Sequence, residues 1–366
     1  MEERLSAAGG ELVAGIRAGV ATVTLNRPSA LNALSLGMLE GLAAWLAAWS
    51  TDERVRIVVL RGAGGKSFCA GGDIRALRDN ARERNAEHHR FFEAEYELDH
   101  RIHTYGKPVV AVMDGIVMGG GMGLAQGAAL RLVGERTRMA MPETAIGLFP
   151  DVGASFFLSR LPGMVGMYLG LTGVTIGAAD ALYCELADAC LAPDGHAALE
   201  AGLREAAGAA DAFAAVREAG ARLAAPGATV SEIETLRPAI DLHFGLESVP
   251  AIVASLGTEE RPAFREWAAR TLERLAQGSP TMLEVTFEQL RRGAILSLAD
   301  CFRMELNLVH RAFEQGDFLE GIRARIVDKD NRPRWNPAAL AGVTPESVAS
   351  FFAPRWKDAD HPLAHL

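Results

Sequence analysis

The chain of 366 residues has no excess of positive charge: 37 lysines and arginines stand against 46 aspartates and glutamates, a formal net charge of −9. Nucleic-acid binders use basic residues to displace counterions from phosphates. This balance excludes that class for the chain as a whole, while leaving room for a local basic patch on one phosphorylated ligand. Cysteine is scarce. Cys69, Cys184, Cys190 and Cys301 make no disulfide framework and show no C-x-x-C zinc spacing, which suits a reducing cytoplasm. A long apolar run is also missing. The most apolar stretch, 109–133, contains Asp114, Gln126, Arg131 and many glycines, so it reads as buried core and not as a membrane span. The opening residues MEERLSAAGG lack the apolar segment of a secretory leader, and a cytoplasmic location is expected.

What remains is a globular composition, 49% apolar and 23% charged, with enough hydrophobic residues for a sizeable core. At about 150 residues per domain the length suits two domains, or one large domain with an appendage. The pattern GVATVTLN alternates as a strand that ends at Asn26-Arg27-Pro28, and Leu36 to Trp49 is an amphipathic helix. Val55 to Leu60 is a short β-branched strand running into Gly62, Gly64 and Gly65. A helical pattern resumes at Asp73, and His88 to Tyr105 is a further helix. Val109 to Met113 is a strand, Gly119-Gly120-Gly121 a turn, and Leu124 to Leu130 helix-like. Strand, glycine turn, helix thus occurs twice, which is α/β organisation. Residues 196–225 favour helix, and from about Ser231 several helices follow, with breakers at Pro250, Pro262 and Pro280. Pro226-Gly227 marks a boundary, giving a core over 1–230 and a C-terminal helical region over 231–366. No repeat of fixed period is present.

The glycine clusters resist the common phosphate motifs. Gly65-Lys66-Ser67 resembles the tail of a P-loop, but position 60 is leucine where that motif needs glycine. No G-x-G-x-x-G register fits either cluster, and no G-x-S-x-G elbow exists. A third reading is a pair of backbone amides, from Gly72 and from the Gly119–Gly121 cluster, each where a helix begins. Such amides can hold a developing oxyanion, and the absent side chain lets the ligand oxygen approach. From the glycines alone, tight turns without chemistry are the simpler reading.

Phe68-Cys69-Ala70-Gly71-Gly72-Asp73-Ile74 and Gly119-Gly120-Gly121-Met122-Gly123 resemble the two signature segments of the crotonase (enoyl-CoA hydratase/isomerase) superfamily. Asn26-Arg27-Pro28 with Leu31-Asn32-Ala33-Leu34 is similar to its N-terminal segment near the CoA moiety. The run Met141-Pro142-Glu143-Thr144-Ala145-Ile146-Gly147-Leu148-Phe149-Pro150-Asp151-Val152-Gly153 resembles more narrowly the 3-hydroxyisobutyryl-CoA hydrolase branch. So do Phe318–Ala324, Asp328-Lys329-Asp330 and Trp335. The resemblance covers about residues 12–352 and is weakest over 196–230. It implies a crotonase-like spiral of ββα units with a C-terminal helical region. It also implies an oxyanion hole from the Gly72 and Gly120 amides, with Ala70 and Ile74 lining the substrate site.

Glu143 is a carboxylate embedded among Met139, Ala140, Met141, Ala145, Ile146, Leu148 and Phe149. Such a group has a partner or a pKa raised by desolvation. Asp151 follows eight residues later, beyond Phe149-Pro150, close enough to share one pocket. Hydratases of the superfamily use two glutamates. One matches Glu143, whereas the other falls on Gly123, which can do no acid–base chemistry, and Asp151 stands where hydratases usually have glycine. The exchange favours thioester hydrolysis over hydration. In either of two routes, Glu143 attacks the carbonyl or activates water, while Asp151 orients it and handles a proton. Glu95 lies on the apolar face set by Phe91, Leu98, Ile102 and Tyr105. It is either a satisfied core ion pair or, as the resemblance implies, a contact to the acyl group's hydroxyl.

His88 and His89 have no ligand partners at suitable spacing and read as solvated. No metal or redox cofactor is implied, because CoA arrives as part of the acyl-CoA substrate. Arg27, Lys66 and Arg75 lie nearest the segments expected at the CoA phosphates and read individually as surface charge. Superfamily relatives are often trimers or hexamers, so a homo-oligomer is a possible state. The expected activity is hydrolysis of a short branched 3-hydroxyacyl-CoA, as in valine breakdown. Enoyl-CoA hydration or isomerisation is the alternative, and a non-catalytic acyl-CoA-binding protein is a third reading.

Overall fold

The computed structural model describes residues 3–83, 85–223 and 230–366. Pro226-Gly227, read above as a boundary, lies outside these residues. The chain forms two compact units, each assembled from separate stretches. A sheet unit comprises Met1–Asp73, Glu97–Met139 and Thr175–Glu232, and a helical unit comprises Ile74–Tyr96, Ala140–Val174 and Ile233–Leu366.

Among the described residues the sheet unit is built on ten strands: β1 (Glu3–Ala7), β2 (Leu12–Arg17), β3 (Val20–Leu25), β4 (Ile57–Gly62), β5 (Ser67–Cys69), β6 (Val109–Met113), β7 (Ile116–Met118), β8 (Leu130–Val133), β9 (Arg138–Ala140) and β10 (Ala189–Cys190). Seven form one sheet in the order β1-β2-β3-β4-β6-β8-β10, and β5-β7-β9 form a smaller one. The first three strands pair antiparallel, and from β3 onward every pairing in the large sheet is parallel. β6 is buried at all five positions, which is why its sequence is continuously apolar instead of alternating.

Helix α1 (Leu36–Thr51) begins where Ser35 Oγ accepts the amide of Met38, and buries Met38, Leu39, Leu42, Leu46 and Trp49 at helical spacing. α8 (His196–Ala207) and α9 (Ala212–Leu223) cover one sheet face, packing Leu199, Leu203 and Val216 on Ile57, Val110, Leu130 and Leu132. Each such side chain contributes about 1.5–3 kcal/mol through burial. The short helices α4 (Gly120–Gln126) and α7 (Ala178–Tyr183) complete this unit.

The helical unit holds α2 (Ile74–Arg82), the first part of α3 (Glu87–His103), α5 (Ala154–Phe157), α6 (Val165–Thr172) and α10 (Glu232–Phe244). It continues through α11 (Val249–Gly257), α12 (Arg265–Gln277), α13 (Pro280–Gly293), α14 (Leu298–Gln315), α15 (Phe318–Ile322) and α16 (Pro345–Phe352). Pro250 and Pro280 fall in the first turns of α11 and α13, where a missing amide hydrogen is harmless, so they start helices.

Two expectations need correction. The helix placed at 124–130 runs from Gly120 to Gln126, and Leu130 opens β8. The glycines begin the helix instead of merely preceding it. Val55 lies before β4, which runs from Ile57 to Gly62. Among the described residues no helix is long and apolar enough to cross a membrane.

Candidate active site

In the sheet unit the two glycine turns stand against each other. Gly71 has φ +99°, and a Cβ there would lie 3.3 Å from the Met118 carbonyl oxygen and 3.7 Å from the Gly120 nitrogen. A Cβ on Gly121 would fall 2.4 Å from the Cys69 carbonyl oxygen, so only glycine permits this approach. The first turn is fixed by a parallel bridge: the Leu34 amide donates to Gly71 O at 2.8 Å, and Asp73 N donates to Leu34 O at 2.9 Å. That bridge uses the neighbours of Gly72 and turns its own N–H to the other side. Gly120 is the first residue of α4, where an N–H has no intrahelical acceptor. Among the described residues neither amide has a backbone acceptor. Both are therefore donors available to a ligand. Ala70 and Gly72 are half-buried beside this point, and Ile74, also half-buried, opens α2.

The N-terminal segment serves this turn. Asn32, fully buried at φ +57°, donates to Ala63 O (3.0 Å) and Ser67 O (2.8 Å) and accepts from Arg27 N. Arg27 pairs with Glu11 and Asp73, both at 2.9 Å, so it braces the residue after Gly72. Arg75 donates to Ile326 O, while Lys66 is exposed.

In the helical unit the structure brings Glu143 and Asp151 together. Glu143 begins a tight 3-10 turn, Glu143–Ile146, after Pro142, and is 6% exposed. Glycines pack this turn closely. A Cβ on Gly147 would sit 2.4 Å from Asp317 O, and one on Gly321 would sit 2.1 Å from Ile146 O. The Phe318–Ala324 segment is thus a wall of the Glu143 turn, which explains why both segments carry the same family resemblance. Burial pushes the Glu143 carboxyl well above the usual carboxylate range, and the charge of Asp151 adds to the push. Glu143 Oε2 is buried and has no hydrogen-bond partner among the described residues, leaving an acceptor for substrate or water. Asp151 is 4% exposed, and burial raises it to about 6, against the pull of a hydrogen bond from Tyr96 Oη to Oδ2 at 2.7 Å.

Sequence reasoning missed Tyr96, which is fully buried between Phe92 and Phe302. It also missed Glu305 and Gln289, which hold the chain around Asp151. Glu305 accepts the amides of Gly153 (2.7 Å) and Ser155 (2.8 Å), and Gln289 Nε2 donates to Pro150 O (2.5 Å) and Ser155 Oγ (2.8 Å). The available signal for Glu305 was a glutamate on the apolar face of a long helix, between Phe302 and Leu308. Glu95 is buried as its helical spacing predicts, 2% exposed; burial raises the Tyr96 hydroxyl, and the charges of Asp151, Glu305 and lastly Glu95 add to the push.

The histidines differ from expectation. His88 is buried, and His89 stacks on His310 with ring centroids 3.8 Å apart, because α14 covers this part of α3. Desolvation lowers His89 to about 4 and His310 to about 3, with neighbouring histidines and Arg355 adding to both. Among the described residues no three His, Cys, Asp or Glu side chains form a metal-binding group. A groove of about 1090 Å³ lies in the sheet unit beneath α8, lined by Thr22, Thr24, Val59, Arg61, Gly65 and Arg204, and neither Gly72 nor Gly120 lines it.

Known proteins fall around this arrangement. The enoyl-CoA hydratase/isomerase family matches residues 20–352. A zebrafish (Danio rerio) protein named 3-hydroxyisobutyryl-CoA hydrolase, mitochondrial, is 40% identical over 92% of this chain and 87% of its own. Small ribosomal subunit protein mS47 of Neurospora crassa is 39% identical over 88% of this chain and 67% of its own. A solved carnitinyl-CoA dehydratase from Mycobacterium thermoresistibile superposes with a TM-score of 0.86 at 39% identity, over 94% of this chain and 96% of that one. The chain is α/β, with parallel sheets and C-terminal helices, and it belongs to the enoyl-CoA hydratase/isomerase family, the crotonase superfamily.

Proposed function

We propose that this enzyme hydrolyses a short branched 3-hydroxyacyl-CoA thioester, 3-hydroxyisobutyryl-CoA, to 3-hydroxyisobutyrate and CoA. The carrying observation is the buried pair Glu143 and Asp151 in the helical unit, combined with glycine at position 123 in α4. A hydratase of this superfamily places its second carboxylate at 123. Here that position is bare and the second acid stands eight residues beyond the first. The zebrafish relative, named for this hydrolysis, supports the same reading.

In the proposed reaction the amides of Gly72 and Gly120 bind the thioester carbonyl oxygen as negative charge grows on it. Losing one such donor costs about 3 kcal/mol of barrier. Glu143 either adds to the carbonyl carbon, forming an anhydride that water opens, or takes a proton from the attacking water. In both routes one water is consumed, the C–S bond breaks, and the CoA sulfur leaves with the electron pair and is protonated; direct attack puts the water oxygen on the acyl carbon, whereas opening of the anhydride puts it on either the acyl carbon or the Glu143 carboxyl, the other carbon keeping the bridging oxygen. Asp151, oriented by Tyr96, holds the water or Glu143 and moves a proton. Glu95 contacts the acyl hydroxyl, with Ala70 and Ile74 against the acyl chain. Oligomerisation and a cytoplasmic location belong to the same proposal.

The superposed structure, named a carnitinyl-CoA dehydratase, favours a second reading, reversible hydration of an enoyl-CoA. One assay separates them: free thiol release against change in enoyl absorbance over a panel of 3-hydroxyacyl- and enoyl-CoA esters. Thiol release fastest on 3-hydroxyisobutyryl-CoA supports hydrolysis. Enoyl absorbance changing without thiol contradicts it. Binding without either change revives the non-catalytic reading.

A further inference from the structure

The turn that carries Asp151 is strained. Val152 lies at φ +55° and Gly153 at φ +86°, two successive left-handed residues, the first of them β-branched. Such a backbone is disfavoured, most of all for a β-branched residue, and persists only when its surroundings over-determine it. The over-determination comes from two helices of the same unit. Gln289 on α13 ties the turn's two ends through Pro150 O and Ser155 Oγ. Glu305 on α14 spans its middle, one carboxylate oxygen on the Gly153 amide and the other on the Ser155 amide. The fit is close on the outside as well, since a Cβ on Gly293 would meet Ser155 O at 2.1 Å.

Glu305 is fully buried, and no ion pair to it is present among the described residues. Burial pushes its carboxyl up to about 8, and its two oxygens are met by two backbone amides instead of a cation. Burying a carboxyl this way is expensive compared with an apolar side chain of similar size, so it contributes little to stability for its own sake. What it does is fix a backbone geometry that the sequence alone disfavours, one residue after Asp151.

We propose that Glu305 is a positioning residue for Asp151: by gripping the amides of Gly153 and Ser155 it holds the strained turn and so sets where the Asp151 carboxylate stands. The inference rests on the hydrolase reading for the work that Asp151 does. It does not rest on that reading for the grip itself.

The test is Glu305→Gln. The amide keeps one acceptor but turns an NH2 toward a backbone N–H, releasing half the grip. Thiol release from 3-hydroxyisobutyryl-CoA should fall about 10- to 100-fold in kcat, the scale of a misplacement of about 1 Å, with KM changed less than about threefold. A double-mutant cycle separates positioning from general loosening. If Glu305 acts through Asp151, Glu305→Gln should add almost nothing to Asp151→Asn; if it is merely structural, the two losses should multiply. Multiplying losses, or a wild-type kcat in Glu305→Gln, would overturn the proposal. Should Glu305→Gln not fold, Glu305→Asp keeps the carboxyl but is one methylene too short to span both amides, and it carries the same expectations.

Hydrogen exchange over residues 151–155 provides a readout independent of turnover. It should quicken in the variant while the rest of α5 and α14 stays protected, and unchanged exchange would refute the grip. A wild-type enzyme that releases no thiol would sink the hydrolase reading, and the exchange result would still decide whether Glu305 holds the turn.

Discussion

Tyr96→Phe removes one hydroxyl and nothing else. The ring keeps its neighbours, Phe92 at 6.0 Å and Phe302 at 5.8 Å between centroids. The lost contact is the 2.7 Å hydrogen bond to Asp151 Oδ2, in which both partners are buried. A neutral phenol donating to a carboxylate stabilises its ionised form. Bonds of this kind contribute about 1.5–3 kcal/mol, and 1.36 kcal/mol corresponds to one pH unit, so the Asp151 midpoint should rise by about 1–2 pH units. It starts at about 6, lifted by burial against the pull of Tyr96. With Asp151 ionised in the working form, its part of the acid limb of kcat should move up by about 1–2 pH units. Well below that limb the variant should lose about 10- to 100-fold in kcat, and well above it kcat should recover to within a few-fold of the parent. The assay is thiol release at saturating substrate across pH 5–10. An acid limb that stays in place would show that Tyr96 does not govern the carboxylate that limits turnover.

Other expectations follow from the same geometry. Gly120→Val puts a branched side chain at the first residue of α4, and thiol release should fall at least about 100-fold in a protein of unchanged helical content; normal kinetics would count against the amide pair. His310, stacked on His89, has a pKa depressed to about 3 against an ordinary value of 6.5. A depressed histidine contributes stability that is complete above about pH 6.5 and is lost as pH falls toward the folded value. Thermal melts of His310→Leu should therefore show a shallower loss of Tm between pH 6.5 and 4 than the parent. An equal slope would locate the acid sensitivity elsewhere.

Local pattern carried far in this chain. β3 and β6 were readable from alternation and from a continuous apolar run, and α1 from its helical spacing. The burial of Glu95 followed from its place between Phe91 and Leu98 on one helix face. The closeness of Glu143 and Asp151 was legible because eight residues and a proline turn join them. What escaped was set by distant chain. The covering of His88 and His89 depends on α14, more than 200 residues later, so two histidines on a polar-looking helix start read as solvated. Tyr96, Gln289 and Glu305 meet the Asp151 turn from three helices, and no spacing in the sequence connects them. The start of α4 was misjudged because glycine is a poor helix former, while here close packing against Cys69 makes glycine necessary. The discontinuous make-up of the two units, with 74–96 and 140–174 joining the C-terminal helices, likewise has no compositional signature.

The account depends on Glu143 being the acid that opens the thioester. Its direct test is thiol release by Glu143→Gln, with binding of the CoA ester measured on the same preparation. Turnover should vanish while the dissociation constant stays within a few-fold of the parent. Glu143→Gln releasing CoA at the parent's rate would contradict it.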